Sequence, residues 1–380
     1  MNNETDSKPH ALETVTSQAQ VPDPGTSFGR APGKLILSGE HAVVYGAPAL
    51  TVAVDRYTDV WFTPMHKMGG LRTAFGALSQ GQLYPLERLK SFKDRLDRRF
   101  DQFLQGDLPV QNILKRPDDL VVYTLSSLVH YLPVPGVSET HKLPVPGQLS
   151  SRSNLPLGAG MGSSAAVIAA TLTLYEHLLN TPKSTEDRFQ QVRTCERLQH
   201  GKGSAVDAAA VVFGGLNRIV DGQASQLDIA TYNSLVHGNN WYWVLHGTPI
   251  SSTGECVANV RKSSGHDQVL WDAFEACTEQ LLADLQGAGE PLQVIRENQR
   301  LLERIGVVTT SAQQLAKAIE DAGGAAKISG AGAVRGEPGG IMLVYLPDPD
   351  SLQGLTRLYP DLCWEPLKIA TQGASLQTED

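Results

Sequence analysis

Cysteine is scarce in this chain, and the few cysteines are too scattered to support two kinds of site. The 380 residues include four cysteines, and no two of them stand in a C-x-x-C or similar paired spacing. Disulfide frameworks and zinc sites are built on such spacings, so the sequence supports neither. The scarcity fits a reducing compartment, and we predict a cytoplasmic protein. The four positions are Cys195, Cys256, Cys277 and Cys363.

Long apolar runs and blocks of basic residues are also lacking. No stretch approaches the roughly 18 apolar residues that cross a bilayer as a helix, and the formal net charge of −8 is mild. The basic run "LKSFKDRLDRRF" is interleaved with acidic and aromatic residues, which favours an amphipathic helix in solvent. The sequence therefore predicts neither a nucleic-acid partner nor a membrane partner.

Strand-like and helix-like patterns alternate along a chain that is longer than a usual single domain. We predict an α+β fold of two domains, residues 28–224 and 225–380, with the site in the cleft between them. Residues 1–27 are polar and are expected to form a disordered tail. The stretch "VVYGAPALTVAVDRYTDVWFTP" predicts two or more strands around a Gly-Ala-Pro turn. Helices are predicted at about 83–105 and 118–132, and in three stretches between about 265 and 322.

The stretch "LPLGAGMGSSAA" places three glycines within five residues, directly before two serines and an apolar helical pattern. A bare backbone at the start of a helix presents unpaired N–H groups, and the helix dipole makes that end an anion site. A simple glycine turn before a buried helix is the alternative interpretation. No G-K-[S/T] follows, so the stretch is not a Walker A loop.

Phosphoryl transfer also needs charge neutralisation and a carboxylate, and candidates lie downstream in "CERLQHGKGSAVDAAAVV". Glu196 lies late in a predicted helix, and Asp207 stands among small apolar residues. A buried ion pair or a helix cap would equally account for Asp207. A third stretch, "APGKLILSGEHAVVYGAPAL", contains Lys34, Glu40 and His41, which alone would be unremarkable side chains.

Together these stretches resemble the three signatures of the GHMP kinase superfamily, and within it those of the members that phosphorylate mevalonate. The resemblance covers residues 28–217 and two later patches, "HGTPISSTGECV" and "KISGAGAV". It implies ATP and Mg²⁺ as cofactors and an active site between two domains. The residues that it assigns to ATP are Gly158, Ala159, Gly160, Met161, Gly162, Ser163 and Ser164.

The resemblance also implies roles for individual side chains. Ser164 and Glu196 would hold Mg²⁺, Asp207 would be the catalytic carboxylate, and Lys34 would steady the reacting charge. The residues expected at the acceptor end of the cleft are Glu40, His41 and, with weaker support, Thr253. The residues expected to form the third glycine motif over the nucleotide are Gly330, Ala331 and Gly332.

Three departures from the superfamily pattern lie near the expected acceptor. Gly203 and Ala205 replace a usual Pro and Gly, and the double glycine of the third motif is displaced to Gly339 and Gly340. An arginine that is usual in the acceptor loop is absent from "TPISSTG". These departures bear more on the acceptor than on the type of reaction.

The sequence thus predicts an ATP- and Mg²⁺-dependent kinase that phosphorylates the primary hydroxyl of mevalonate. A related kinase acting on phosphomevalonate or a sugar is the first alternative. A non-catalytic module that binds a nucleotide or metabolite is the second, and the presence of both Glu196 and Asp207 speaks against it. The expected partner is a small-molecule acceptor, and the interpretation admits a homodimer.

Overall fold

The structure, a computed structural model, describes residues 21–65, 69–75, 80–85, 88–130, 146–232, 235, 239–287 and 289–380. Residues 1–20 of the predicted tail and the end of the helix predicted to reach residue 132 lie outside these ranges. The strands of the described residues are β1 (Ser27–Ser38), β2 (Ala49–Pro64), β3 (Gly70–Ala74), β4 (Gln80–Pro85), β5 (Gly147–Ser153), β6 (Leu216–Val220), β7 (Gln223–Leu227), β8 (Trp241–Leu245), β9 (Ala325–Ser329), β10 (Ile341–Tyr345), β11 (Cys363–Pro366) and β12 (Ser375–Thr378).

The helices alternate with these strands and confirm the predicted mixture of α and β structure. Those of the described residues are α1 (Leu89–Leu104), α2 (Asp119–His130), α3 (Ser163–Leu178), α4 (Thr185–His200), α5 (Ala205–Phe213), α6 (Thr253–Ser264), α7 (Gln268–Gln286), α8 (Leu292–Arg304), α9 (Thr310–Asp321) and α10 (Ser351–Leu358). No helix in the described ranges combines the length and the apolar character that a membrane crossing requires.

Two sheets organise the molecule. The larger sheet has the order β12-β1-β2-β5-β3-β4, and β6 joins it through β2 and carries β7 at its outer side. Its pairs are antiparallel except β3 with β5, which is parallel. The smaller sheet is antiparallel throughout, in the order β11-β8-β10-β9. The division at residue 224 stays a prediction, and the last strand, β12, lies in the larger sheet.

Helix α3 packs directly on β1 and β2. Its sequence, SSAAVIAATLTLYEHL, is rich in small residues, and eleven of its sixteen residues are buried. The approach is close because β1 has Gly29 opposite the helix: a Cβ on Gly29 would lie 1.9 Å from the carbonyl oxygen of Ala170. Small residues on both elements therefore fix the height of α3 above the sheet.

The second half of the chain contacts the first along β1. Helix α7 packs against β1 and against the short 3-10 helix that follows it. Ser38 Oγ lies 2.8 Å from Thr278 Oγ1 and accepts a hydrogen bond from Asn298 Nδ2 at 2.8 Å. The backbone N–H of Ile36 donates to Ser329 Oγ at 2.8 Å. Buried polar contacts thus join the end of β1 to α7, α8 and β9.

The prediction of a strand before the Gly-Ala-Pro turn was wrong. Residues His41–Tyr45 form a 3-10 helix, and one strand of sixteen residues, β2, follows the turn. Only ten residues separate the end of β1 from the start of β2, and Gly39 and Gly46 both have positive φ (85° and 96°). This tight connection has no room for another strand, so the β-branched residues there do not decide the local structure.

The contact of β1 with α3 leads to a prediction about stability. Gly29→Ala should lower the free energy of unfolding by about 1–3 kcal/mol or more, because the added methyl group meets backbone that cannot retreat alone. Gly354, within α10, has open space around a Cβ, so Gly354→Ala should raise it by about 0.5–1 kcal/mol. Denaturant unfolding of both variants tests the contact, and equal stability of Gly29→Ala and wild type would contradict it.

Candidate active site

The glycine segment, residues 158–164, ends in the first turn of α3. Gly158, Gly160 and Gly162 have φ of 71°, 94° and 71°, a region that side chains rarely adopt. Gly162 is the N-cap of α3 and provides no side-chain cap. The first N–H groups of the helix therefore face outward without an intrahelical partner, at the positive end of its dipole. This geometry suits a phosphate group.

Residues 330–332 lie against the glycine segment. A Cβ on Gly160 would lie 3.5 Å from the carbonyl oxygen of Ser329, and one on Gly330 would lie 3.7 Å from the carbonyl oxygen of Gly160. The structure thus brings together two stretches that are about 170 residues apart in the sequence. Such a contact depends on long-range packing, so no local sequence pattern predicts it.

A buried ion pair stands beside the start of α3. Lys34 Nζ lies 3.1 Å from Asp207 Oδ1, and the two side chains are 4% and 22% exposed. The backbone N–H of Lys34 donates to the carbonyl oxygen of Met161 at 3.0 Å. A Cβ on Gly162 would lie 2.9 Å from Lys34 Cγ and 3.5 Å from Asp207 Oδ1. Glycine at this position therefore lets the ion pair lie directly against the backbone of the glycine segment.

Asp207 is positioned by its own helix. It lies in the first turn of α5, where its backbone N–H donates to the N-cap hydroxyl of Ser204 at 3.2 Å. Burial alone would raise the pKa of Asp207, but the charge of Lys34 and the hydrogen bond from Ser204 outweigh it and lower the pKa. The carboxylate is therefore ionised at neutral pH.

Glu196 is a second buried carboxyl group in the same place, with different surroundings. Its Oε1 accepts a hydrogen bond from Ser164 Oγ at 2.7 Å. Its Oε2 is buried without a hydrogen-bond partner among the residues that the structure describes. Burial, and then the negative charge of Asp207, raise the pKa of Glu196 to about 8. Two carboxyl groups of one site are thus held in different protonation states.

Glu40 and His41 contact the strand and motif of the second half. The carboxylate of Glu40 forms a fully buried ion pair with Lys327 of β9. His41 Nε2 lies 3.0 Å from the carbonyl oxygen of Ala331, within the third glycine motif. Burial lowers the pKa of His41, so its ring is neutral at pH 7. Both side chains are therefore fixed across the interface between the two halves.

Thr253 is placed differently from the other predicted site residues. It is the first residue of α6 and is exposed, and Ser252 before it caps the helix by accepting from the Glu255 N–H at 3.2 Å. The start of α6 nevertheless reaches the third glycine motif, since Cys256 Sγ lies 3.6 Å from the carbonyl oxygen of Gly332. The acceptor role of Thr253 stays a prediction.

Two basic side chains near these groups, one fully buried and one part-buried, were not predicted from the sequence. Lys327 stands in the otherwise uncharged strand AAKIS, and a lysine in such a strand was a usable signal. His200 ends α4 close enough to Asp207 and Lys34 to interact with both charges, and burial lowers its pKa. A histidine at the end of a predicted helix carries no local signal that it lies beside these charges.

Comparison with known families assigns the class. A family model described as GHMP kinases N terminal domain matches residues 127–215, a range that contains the glycine segment, Glu196 and Asp207. The crystal structure of the Methanococcus jannaschii mevalonate kinase shares the fold, with a TM-score of 0.73, 17% identity, and coverage of 92% of this chain and 100% of that chain. Fold and site together define a small-molecule kinase of the GHMP type.

Curated relatives narrow this class to one family. Human mevalonate kinase is 30% identical over 343 residues, which are 80% of this chain and 82% of the human protein. The mevalonate kinase of Thermococcus onnurineus is 26% identical over 333 residues, which are 84% of this chain and 89% of that protein. The chain belongs to the mevalonate kinase family.

The raised pKa of Glu196 leads to a prediction about pH and stability. The folded-state pKa of about 8 exceeds the ordinary 4.5, so between these pH values the folded chain holds a proton that the unfolded chain has released. The free energy of unfolding must then fall as pH rises through this range. Glu196→Gln removes this ionisation, so its stability relative to wild type should increase by about 3–4 kcal/mol from pH 5 to pH 8.

Thermal and denaturant unfolding in EDTA, at several pH values, measure this difference. Parallel pH profiles of wild type and Glu196→Gln would show that Glu196 titrates as an exposed carboxyl group does.

Proposed function

We propose that this chain transfers the γ-phosphoryl group of ATP to the primary hydroxyl of mevalonate. The relatives named mevalonate kinase support the acceptor, and one geometric observation supports the chemistry. That observation is the ion pair of Lys34 and Asp207, which lies directly beside the glycine segment and the start of α3. A phosphate at the helix start would thus lie next to both a buried cation and an ionised carboxylate.

The nucleotide phosphates bind at residues 158–164 in this proposal. The unpaired N–H groups at the start of α3 donate to the phosphate oxygens, and the helix dipole favours their negative charge. Lys34 is nearly buried, so its attraction for a phosphate is weakened less by solvent than that of a surface lysine. The third glycine motif lies against this segment and restricts access to it.

Mg²⁺ fits the pair formed by Ser164 and Glu196. A hydroxyl and a carboxylate are oxygen ligands of the kind that Mg²⁺ takes alongside phosphates and water. The Oε2 atom of Glu196, buried and without a partner among the described side chains, is a free ligand position. When bound, the cation neutralises phosphate charge. The described residues hold no cluster of three or more His, Cys, Asp or Glu side chains that would form an alternative metal site.

Asp207 is the proton acceptor in the proposed reaction. Its lowered pKa keeps it ionised, and Lys34 and the N-cap of α5 fix its orientation. The O–H bond of the acceptor breaks, its proton moves to the Asp207 carboxylate, and its oxygen bonds to the γ-phosphorus as the bond to ADP breaks. Lys34 stays beside both groups and offsets the charge that develops between them.

The acceptor end, as proposed, is formed by Glu40, His41 and Thr253. The segments "SGEHAVVYGAP" and "HGTPISSTGECV" contain no lysine or arginine. The buried cation that the structure adds there, Lys327, is already paired with Glu40, and the exposed Arg335 is paired with Glu255 at 2.7 Å. Among the described residues, a phosphate group on the acceptor would find no cluster of unpaired cations here, which favours mevalonate over phosphomevalonate. Cytoplasmic residence and a homodimer stay predictions from the sequence.

Replacing Asp207 tests the proposed proton acceptor. Asp207→Asn should lower kcat by about 10²-fold or more, the usual scale for losing a general base, while the affinity for ADP changes little. Steady-state kinetics and calorimetric ADP binding measure the two quantities. Asp272→Asn, an exposed aspartate on α7, is the control. Near wild-type turnover of Asp207→Asn would remove Asp207 from the mechanism.

Side-by-side assays of three acceptors test the substrate. Under saturating ATP, kcat/KM for mevalonate should exceed that for phosphomevalonate or galactose by at least about 10²-fold, roughly 2.7 kcal/mol in transition-state binding. If either of the other acceptors equals mevalonate, the kinase class survives and the acceptor assignment does not. If no acceptor in the panel is phosphorylated, the non-catalytic alternative is favoured.

A further inference from the structure

Lys327 lies in the interior of the molecule, with all its donors occupied. Every residue of β9 is buried, and the side chain of Lys327 is 0% exposed. Its Nζ donates to Glu40 Oε1, to the carbonyl oxygen of Ile328 at 2.7 Å and to that of Ile36 at 3.4 Å. Burial lowers the pKa of Lys327, but the facing carboxylate of Glu40 opposes this effect. The ion pair therefore supplies the counter-charge that a buried ammonium needs.

Stability alone does not account for this pair. Replacing both partners of a buried ion pair by packed apolar side chains is often neutral or stabilising. The charges of such a pair would therefore add little to stability, whereas a pair that orients a reacting or binding group needs them. The hydrogen bonds of the Glu40 carboxylate favour an orienting role for this pair.

Glu40 is held by one oxygen only. Oε1 contacts Lys327, while Oε2 is buried and has no hydrogen-bond partner within the described ranges. The neighbouring His41 repeats this arrangement: Nε2 contacts the Ala331 carbonyl oxygen, and Nδ1 is buried with no partner in the same ranges. Unpaired buried polar atoms are rare and costly. Two of them on adjacent residues indicate a polar ligand that completes their hydrogen bonds.

Lys327 also connects this place to the third glycine motif. It precedes Gly330 by three residues on the strand that leads into the motif. Strand β9, which ends beside the glycine segment, therefore also sets the position of Glu40 on the first half of the chain. A shift of β9 would move the carboxylate of Glu40 with it.

We propose that Lys327 is a positioning residue, which holds Oε1 of Glu40 so that Oε2 is available to a hydroxyl group of the acceptor. The inference rests on the proposed function, in which Glu40 lies at the acceptor end. Lys327 itself touches no reacting atom. Its loss should therefore weaken acceptor binding through Glu40 and leave nucleotide binding unchanged.

Three variants and one control test this role: Lys327→Met, Glu40→Gln, the double variant, and Arg188→Met. Lys327→Met should raise KM for mevalonate by at least about tenfold, as expected when a buried partner charge is lost, while KM for ATP stays within about twofold. Glu40→Gln should have a similar effect. Because both substitutions act through one carboxylate, the double variant should resemble Glu40→Gln alone.

Arg188→Met is the matched control, because it also breaks an ion pair that is largely shielded from solvent. Arg188 Nη2 on α4 lies 2.6 Å from Glu176 Oε2 on α3. It should lower the unfolding temperature and leave both KM values within about twofold of wild type. If Lys327→Met does not fold, the double variant, which removes both charges, still tests the inference, because its KM for mevalonate can be compared with that of Glu40→Gln. Unfolding temperatures are recorded for all variants.

Two results would overturn the inference. One is an equal rise of KM for ATP and KM for mevalonate, which a merely structural role would produce. The other is a double variant whose KM for mevalonate lies well above that of Glu40→Gln, because Lys327 would then act independently of Glu40. Failure of the proposed function would be seen separately, as a wild-type enzyme that prefers another acceptor. In that case KM for the preferred acceptor is measured for the same variants.

Discussion

The close contact between β1 and α3 is the constraint on which the site depends. Gly29 lets the helix approach the strand, and a Cβ on Gly33 would lie 2.2 Å from Leu155 Cδ2, just before the glycine segment. Lys34 follows at once and bonds through its backbone to Met161. One strand therefore fixes the height of the helix, the path of the glycine segment and the origin of the lysine side chain. The backbone of the glycine segment and the lysine beside it therefore cannot move independently.

Three carboxyl groups stand near this contact, and they are stabilised in two different ways. Asp207 is paired with Lys34, Glu40 is paired with Lys327, and Glu196 accepts a hydrogen bond from the Ser164 hydroxyl. Only Glu196 lacks a close cation, and it has a pKa of about 8. At neutral pH Glu196 is therefore protonated unless a cation binds beside it, whereas Asp207 is ionised without one. Their different environments thus give the two carboxyl groups different protonation states.

Local sequence predicted the parts of the site that depend on local geometry. The glycine segment and the helix after it follow from residue spacing and from turn preferences. Local spacing could not predict the 3-10 helix of residues His41–Tyr45 or the pairing of β12 with β1. Chain closure decides the first, and long-range strand pairing decides the second. The ion pair of Glu40 with Lys327 joins residues 287 positions apart. Lys327 in an uncharged strand indicated that some partner must exist, but its identity needed the fold.

The displaced double glycine ends a loop that side chains of the second half hold in place. Ser251 Oγ accepts hydrogen bonds from the N–H groups of Val334 and Arg335 at 3.1 and 3.2 Å, so the altered loop is held at its middle. The N–H of Gly339 donates to His246 Nδ1 at 3.0 Å, which holds its end. These contacts lie on the second half of the chain, whereas Lys34 and Asp207 lie on the first. Gly340 also reaches the first half, since a Cβ on it would lie 3.3 Å from the carbonyl oxygen of Ala159 in the glycine segment. The displaced double glycine therefore still permits a close approach to the glycine segment, although it no longer directly follows the third motif.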